Sequence, residues 1–137
     1  MQILVIDGQG GMLGSQLVSE IRKKINNAEI IAIGTNIKAT ESMLKAGADQ
    51  GATGENPAIV QSKAADIIVG PIGIVIADSL LGEVTPKMAI ALGKSNAKKI
   101  LLPVNKCNNI VVGVSDKTTK DIIAEAINII RQIAEVI

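Results

Sequence analysis

The feature that most constrains the fold is an aliphatic run at residues 2–6, which passes through Asp7 into a glycine-rich turn. Four of the seven positions from 8 to 14 are glycine, and apolar residues then recur at the spacing of one helix face. This order of strand, turn and helix aims backbone N–H groups at an anion, usually a phosphate. The start of the chain therefore predicts a βα unit with an anion-binding turn.

Aliphatic runs alternate with helical patterns along the rest of the chain, which is typical of an α/β domain with a parallel sheet. The length of 137 residues suits a single domain. We expect one three-layer α/β/α Rossmann-like domain over residues 1–137, with a mostly parallel sheet in the order 3-2-1-4-5. Its parallel strands are predicted near residues 2–6, 29–34, 48–53, 65–70 and 99–104, the third on topology more than on residue type.

Three other segments carry mixed signals. A sixth strand is predicted at residues 110–114, and it should lie antiparallel at an edge because the preceding gap is too short for a crossover helix. Residues 74–82 fit either a helix or a strand, and we favour a helix. Asn56 and Pro57 are expected to cap and to begin the third helix.

The composition excludes several kinds of chemistry. The chain has no Trp, Tyr, Phe or His, so nothing can stack on a flavin ring and the commonest general base is missing. We therefore expect no flavin and no Ser-His-Asp or Cys-His site. A single cysteine excludes an intrachain disulfide, and we expect no metal. The net charge of +1 and scattered basic residues argue against a nucleic-acid partner.

The apolar runs are too short to span a membrane, and the first residues lack the basic region of a signal peptide. We therefore expect a cytoplasmic protein that binds no membrane. The last helix, expected from residues 116–119 to the end, has an apolar stripe broader than one sheet face covers. That width predicts a homo-oligomer, with this helix as a candidate dimer interface.

The glycine turn fits a variant dinucleotide-binding loop better than other phosphate loops. Gly8, Gly11 and Gly14 satisfy the spacing G-x-x-G-x-x-G, whereas Leu13 occupies the last glycine position of G-x-G-x-x-G. The GK[ST] ending of a P-loop is absent. Over about residues 2–25 the chain resembles the NAD(P)-binding segment of short-chain and other variant Rossmann proteins. The alternative is that the glycines only form a tight turn.

The end of the second strand bears on the choice of nucleotide. NAD sites carry an acidic residue there to accept hydrogen bonds from the ribose, but this chain has Thr35, Asn36 and Lys38. Those residues favour NADP over NAD, or another phosphorylated ligand. The alternative is that Thr35 or Asn36 caps the next helix.

The carboxyl ends of the predicted strands gather glycines and short polar side chains, and open α/β sheets bind ligands at that edge. Asp7 is expected to cap its own turn. Asp78 and Glu83 are unexpected acids in or after an apolar stretch, each either a crevice acid or a cap, and no catalytic residue is assigned. The residues predicted to bind the ligand are Gly8, Gln9, Gly10, Gly11, Met12, Leu13, Thr35, Asn36, Gly70, Pro71, Gly73 and Asn105.

Three functions fit these observations. The first is a module that binds a nucleotide or another small phosphorylated ligand. The second is a small enzyme acting on a phosphorylated metabolite, with Asn56, Asp78, Asn105 or Lys106 in its crevice. The third is a structural or partner-binding oligomer without a ligand.

Four segments together resemble a family of short bacterial proteins catalogued only as a domain of unknown function. They are MQILVIDGQGGMLG, GTNIKATESMLKAGADQGATGENP, IIVGPIGIVIADSLLGEVTPKMA and KILLPVNKCN. The resemblance covers most of the chain, and it implies no activity, substrate or catalytic residue.

Overall fold

The computed structural model describes residues 1–104, 108–114 and 116–136. The strands in this part of the chain are β1 (Gln2–Asp7), β2 (Glu29–Gly34), β3 (Gln50–Thr53), β4 (Ile67–Pro71) and β5 (Lys98–Leu102). The α-helices are α1 (Met12–Lys24), α2 (Ile37–Lys45), α3 (Glu55–Gln61), α4 (Pro86–Lys94) and α5 (Thr119–Val136).

The five strands form one parallel sheet in the order β3-β2-β1-β4-β5, which confirms the predicted order. The aliphatic side chains of β1, β2 and β4 are buried on both faces, as expected of strands covered by helices on both sides. One core lies between the sheet and α1, α2 and α5, and a second lies between the sheet and α3 and α4. The three-layer prediction is therefore confirmed.

The weak third strand is present because of its neighbour and not because of its own side chains. β3 has the sequence QGAT and pairs parallel with β2, with Ala52 opposite Ile33 and Thr53 opposite Gly34. This register brings the ends of β2 and β3 to the same edge of the sheet. Because Asp7 of β1 lies opposite Gly34 of β2, the end of β1 lies at that edge too.

The predicted antiparallel strand at residues 110–114 is wrong. These residues form turns and irregular backbone, and every strand pair in the described part of the chain is parallel. Asn108 and Gly113 have positive φ angles of 65° and 89°, so the backbone turns on both sides of the apolar run. Ile110 and Val112 are 89% and 94% exposed, because no neighbouring strand pairs with them.

The predicted helix at residues 74–82 is also wrong. A single 3-10 helix, Ile72–Val75, is followed by a series of turns. Asp78, Leu80 and Leu81 have φ angles of 64°, 54° and 57°, which a right-handed helix does not allow. Within this short apolar run, Leu80 is buried in the core and Leu81 is exposed.

The start of α3 differs from the prediction by two residues. Gly54, with φ 103°, is the residue that precedes the helix, and Asn56 lies inside it. Pro57 is still in the first turn, where a missing N–H group leaves no helical hydrogen bond unmade. The helix begins earlier because its first hydrogen bond runs from the Ala58 N–H to the Gly54 carbonyl at 3.3 Å, which includes Glu55 and Asn56 in the helix.

The C-terminal helix α5 covers β5 and packs against α1. Its buried side chains are Ile123, Ala126, Ile127 and Ile130, so most of the broad apolar stripe is covered by the chain itself. Ile129 and Val136 remain exposed. Among the helices of the described residues, none is both long enough and apolar enough to cross a membrane.

Candidate ligand-binding site

Asp7, at the end of β1, closes the glycine turn with its own side chain. Its Oδ1 accepts a hydrogen bond from the Gly8 N–H at 2.8 Å, and its Oδ2 accepts one from the Gly14 N–H at 2.7 Å. Burial raises the pKa of Asp7 above its ordinary value, although the two N–H donors favour the charged form. Each oxygen of the carboxylate accepts one of these backbone donors, so Asp7 caps its own turn as predicted.

The glycines of the turn have different roles. A Cβ on Gly14 would lie 2.6 Å from the Sδ of Met43, so a side chain there would separate α1 from α2. Gly11 has a φ of 74°, and a Cβ on it would lie 2.7 Å from the Cα of Ala39. Gly10 has nothing within 4 Å of the same position. Of these three glycines, only Gly10 therefore leaves the backbone open to a ligand.

The N-terminus of α1 is uncapped. Gly11 precedes the helix and offers no side chain, and the first turn contains no acidic residue. Within the described part of the chain, no hydrogen bond engages the N–H groups of Gly10, Met12 or Leu13. Helix N-termini leave such donors for caps, water or ligands, and they carry a partial positive charge.

A groove begins at this helix end. It has a volume of ≈ 840 Å³ and lies between α1 and α5. Met12 and Leu13 line it at the start of α1, Lys120 in the first turn of α5, and Val104 after β5. The lining thus includes two of the residues that carry open N–H groups, together with the ammonium groups of Lys24 and Lys120 and the carboxylate of Glu20.

Thr35 and Asn36 lie at the carboxyl end of β2, next to the glycine turn. Asn36 caps α2, because its Oδ1 accepts a hydrogen bond from the Ala39 N–H at 2.9 Å. Its Nδ2 donates to the carbonyl oxygen of Gln9 at 2.9 Å. The capping alternative is therefore correct for Asn36, and the same side chain also fixes the glycine turn.

The sequence did not predict that Glu83 lies beside the glycine turn. Glu83 lies in residues 76–84, hereafter the strap, and its Oε1 accepts hydrogen bonds from the Gln9 N–H and from Asn36 Nδ2, both at 2.9 Å. The Thr35 hydroxyl donates to the same oxygen. Partial burial disfavours the charged carboxylate, but these three donors outweigh burial and lower the pKa of Glu83. Of the two acids in the apolar stretch, Glu83 therefore lies at the site, while Asp78 is exposed.

The predicted residues after β4 are buried. A Cβ on Gly70 would collide with the carbonyl oxygen of Ile6, so this glycine allows β1 and β4 to approach closely. Pro71 and Gly73 are also buried, and the carbonyl of Gly73 accepts a hydrogen bond from the Ser79 hydroxyl. Asn105 and Lys106 lie outside the described residues.

The structure thus brings Gln9, Gly10, Met12 and Leu13 to an open edge of the sheet, and Thr35 and Asn36 beside them. A parallel sheet ordered 3-2-1-4-5, with helices on both faces and a glycine turn after its first strand, defines a Rossmann-like α/β protein. A family model described as a domain of unknown function (DUF3842) matches residues 2–135, and the chain belongs to this family. No curated protein sequence matches it.

Several solved structures are similar to the chain, two of them as follows. One is a dodecameric FMN-dependent UbiX-like decarboxylase from Escherichia coli O157:H7, with a TM-score of 0.48, 15% identity and coverage of 97% of this chain and 94% of that one. The other is AibC, with a TM-score of 0.51 and 16% identity. That likeness covers 97% of this chain but only 39% of AibC. At such identities the likeness concerns the fold alone.

Proposed function

We propose that the chain is a binding module for a nucleotide or another phosphorylated ligand, whose phosphate lies on the N-terminus of α1. The observation that carries this proposal is the uncapped helix end, where the N–H groups of Gly10, Met12 and Leu13 have no partner among the described residues. Aligned peptide dipoles place about half a positive charge there. A phosphate supplies several acceptor oxygens and negative charge at once.

The surroundings of α1 support a ligand larger than phosphate alone. The adjoining groove of ≈ 840 Å³ has the size of a small-molecule site. Its lining includes Lys120, whose ammonium group would attract an anion, whereas Lys24 forms an ion pair with Glu20 at 3.0 Å. A ligand also has room to approach the backbone at Gly10, because nothing lies within 4 Å of a Cβ built on this residue.

The finer prediction of NADP over NAD has lost its premise. It depended on the absence of a carboxylate near Thr35, and Glu83 now supplies a carboxylate at that position. The proposed ligand class therefore includes NAD, NADP and other phosphorylated nucleotides.

Isothermal titration calorimetry with NAD, NADP, ATP, FMN and pyrophosphate tests the proposal. Gly10→Asp places a negative charge on the open loop, so we expect binding to weaken about tenfold or more through like-charge repulsion. Gly93→Asp, at an exposed position of α4 and equally free of neighbours within 4 Å, is the matched control and should bind as wild type does. Heat changes that are absent for every ligand, or equal for both variants, would contradict the proposal.

The purified protein offers a second observation. Without Trp, Tyr or Phe, the chain has almost no absorbance near ~260–280 nm, because that absorbance comes from aromatic rings. A band there in a nucleic-acid-free preparation would reveal a co-purified nucleotide, which mass spectrometry would identify.

We also propose that the chain forms a homo-oligomer through α5. Ile129 and Val136 remain exposed beside the face that α5 buries within the chain. The two side chains are seven positions apart, about two helical turns, and a contiguous exposed apolar patch marks an interface between subunits.

A further inference from the structure

A carboxylate of the chain itself occupies the position next to the proposed phosphate site. Glu83 Oε1 accepts hydrogen bonds from the Gln9 N–H, Asn36 Nδ2 and the Thr35 hydroxyl. These donors converge on one oxygen, as donors do around a bound anion. An anionic group of a ligand that came to this place would meet donors already in use and a negative charge.

The strap holds Glu83 in this position. Leu80 and Val84, on either side of it, have fully buried side chains. The Asp78 N–H donates to the Val84 carbonyl at 2.7 Å, and the Glu83 N–H donates to the Leu80 carbonyl at 3.0 Å. Moving the backbone at Glu83 would therefore expose apolar surface and break a closed turn, and rotating its side chain away would leave three donors without their acceptor.

The second oxygen of this carboxylate is available to a ligand. Oε2 of Glu83 accepts no hydrogen bond from the residues that the structure describes. A carboxylate oxygen accepts hydrogen bonds and donates none, so a hydroxyl group satisfies it. A phosphate at the same place is repelled by it.

We propose that Glu83 determines ligand specificity, by reserving the carboxyl end of β2 for neutral hydroxyl groups such as a ribose diol and rejecting a phosphate there. The proposal rests on the proposed nucleotide-binding function and adds the class of nucleotide, one with an unmodified ribose. It reverses the preference that Thr35, Asn36 and Lys38 indicated in the sequence. The carboxylate comes from the strap after β4 and not from the residues that follow β2.

NAD and NADP are suitable probes because they differ only by the phosphate that NADP carries on the 2′-hydroxyl of its adenosine ribose. Calorimetry on the wild-type chain should show NAD binding about tenfold or more tightly than NADP, as like-charge contacts require. Glu83→Gln removes the charge and keeps the size, and it should lower that ratio about tenfold, mostly by strengthening NADP binding. Glu55→Gln is the matched control, because the Glu55 carboxylate accepts a hydrogen bond from the Thr85 hydroxyl at 2.6 Å and does not contact the glycine turn.

The outcomes separate the two proposals. An equal NAD-to-NADP ratio in wild type and Glu83→Gln, with both nucleotides bound, would overturn the role of Glu83 and leave nucleotide binding intact. Binding of neither nucleotide by either protein would overturn the proposed function and this inference with it. Circular dichroism of Glu83→Gln checks that the variant is folded. If it is not, Glu83→Asp, which keeps the charge but shortens the side chain, should retain the preference for NAD.

Discussion

At the scale of single residues, the glycine turn is held by two carboxylates with different origins. Asp7 lies beside the turn, so its capping role could be predicted from local sequence. Glu83 is 74 positions from Gln9, and their hydrogen bond exists only because the sheet brings the ends of β1, β2 and β4 together. The sequence could therefore predict the turn and its cap, but not the acid that contacts it.

The glycines of the turn give a matched pair of variants. Gly14→Ala places a Cβ against Met43, so we expect the free energy of unfolding to fall by about 1–3 kcal/mol through overpacking. Gly10→Ala has open space at the same atom and should change stability by less than about 0.5 kcal/mol. Urea unfolding followed by circular dichroism measures both. Equal losses would contradict the packing role of Gly14.

The lowered pKa of Glu83 predicts a pH dependence of stability. Because the folded-state pKa is depressed, the stabilising effect of the carboxylate is present above the usual glutamate pKa of about 4.3 and is lost as pH falls through the lowered value. The stability difference between wild type and Glu83→Gln should therefore be constant near neutral pH and shift against wild type in acid. Unfolding curves at several pH values check this. A difference that does not change with pH would show that the pKa is not lowered.

At the scale of elements, the sequence predicted the strands and helices that have a clear period, and it failed where backbone conformation decides. The runs that form β1, β2 and β4 are buried on both faces, which explains their unbroken aliphatic character. Residues 74–82 and 110–114 are equally apolar, but left-handed residues interrupt both. A hydropathy pattern contains no information about these positive φ angles, so it could not distinguish these segments from regular elements.

The strap provides a test at this scale. Leu81 has a φ of 57° and is 92% exposed, so it bears backbone strain without burying its side chain. Leu81→Gly relieves this strain, whereas Leu81→Ala removes the same side chain and keeps the Cβ. We expect the glycine variant to be more stable than the alanine variant by about 0.5–1 kcal/mol, after the entropy cost of glycine in the unfolded chain. Thermal unfolding measures the difference, and a more stable alanine variant would contradict it.

At the scale of the whole molecule, α5 serves the fold first. The sequence predicted its stripe and its length well, but the number of side chains covered within the chain depends on β5 and α1. The exposed remainder is Ile129 and Val136, which is where an interface between subunits would form.

Light scattering of α5 variants tests the oligomer. Ile129→Glu combined with Val136→Glu should give particles of the monomer mass, 14.2 kDa, with an unchanged circular dichroism spectrum. Ile130→Glu is the contrasting variant, because Ile130 is fully buried and a charge there should unfold the chain. A wild-type protein that is itself monomeric would contradict the proposed assembly.

The claim that a phosphorylated ligand binds on the N-terminus of α1 is tested most directly by amide NMR on the ¹⁵N-labelled chain, titrated with NAD and with pyrophosphate. We predict that the amide signals of Gly10, Met12 and Leu13 move most, because their N–H groups have no other partner among the described residues. Signals of Ser62 and Ser95, which line a separate groove, should stay in place. No movement with either ligand, or the largest movement around Ser62 and Ser95, would contradict the claim.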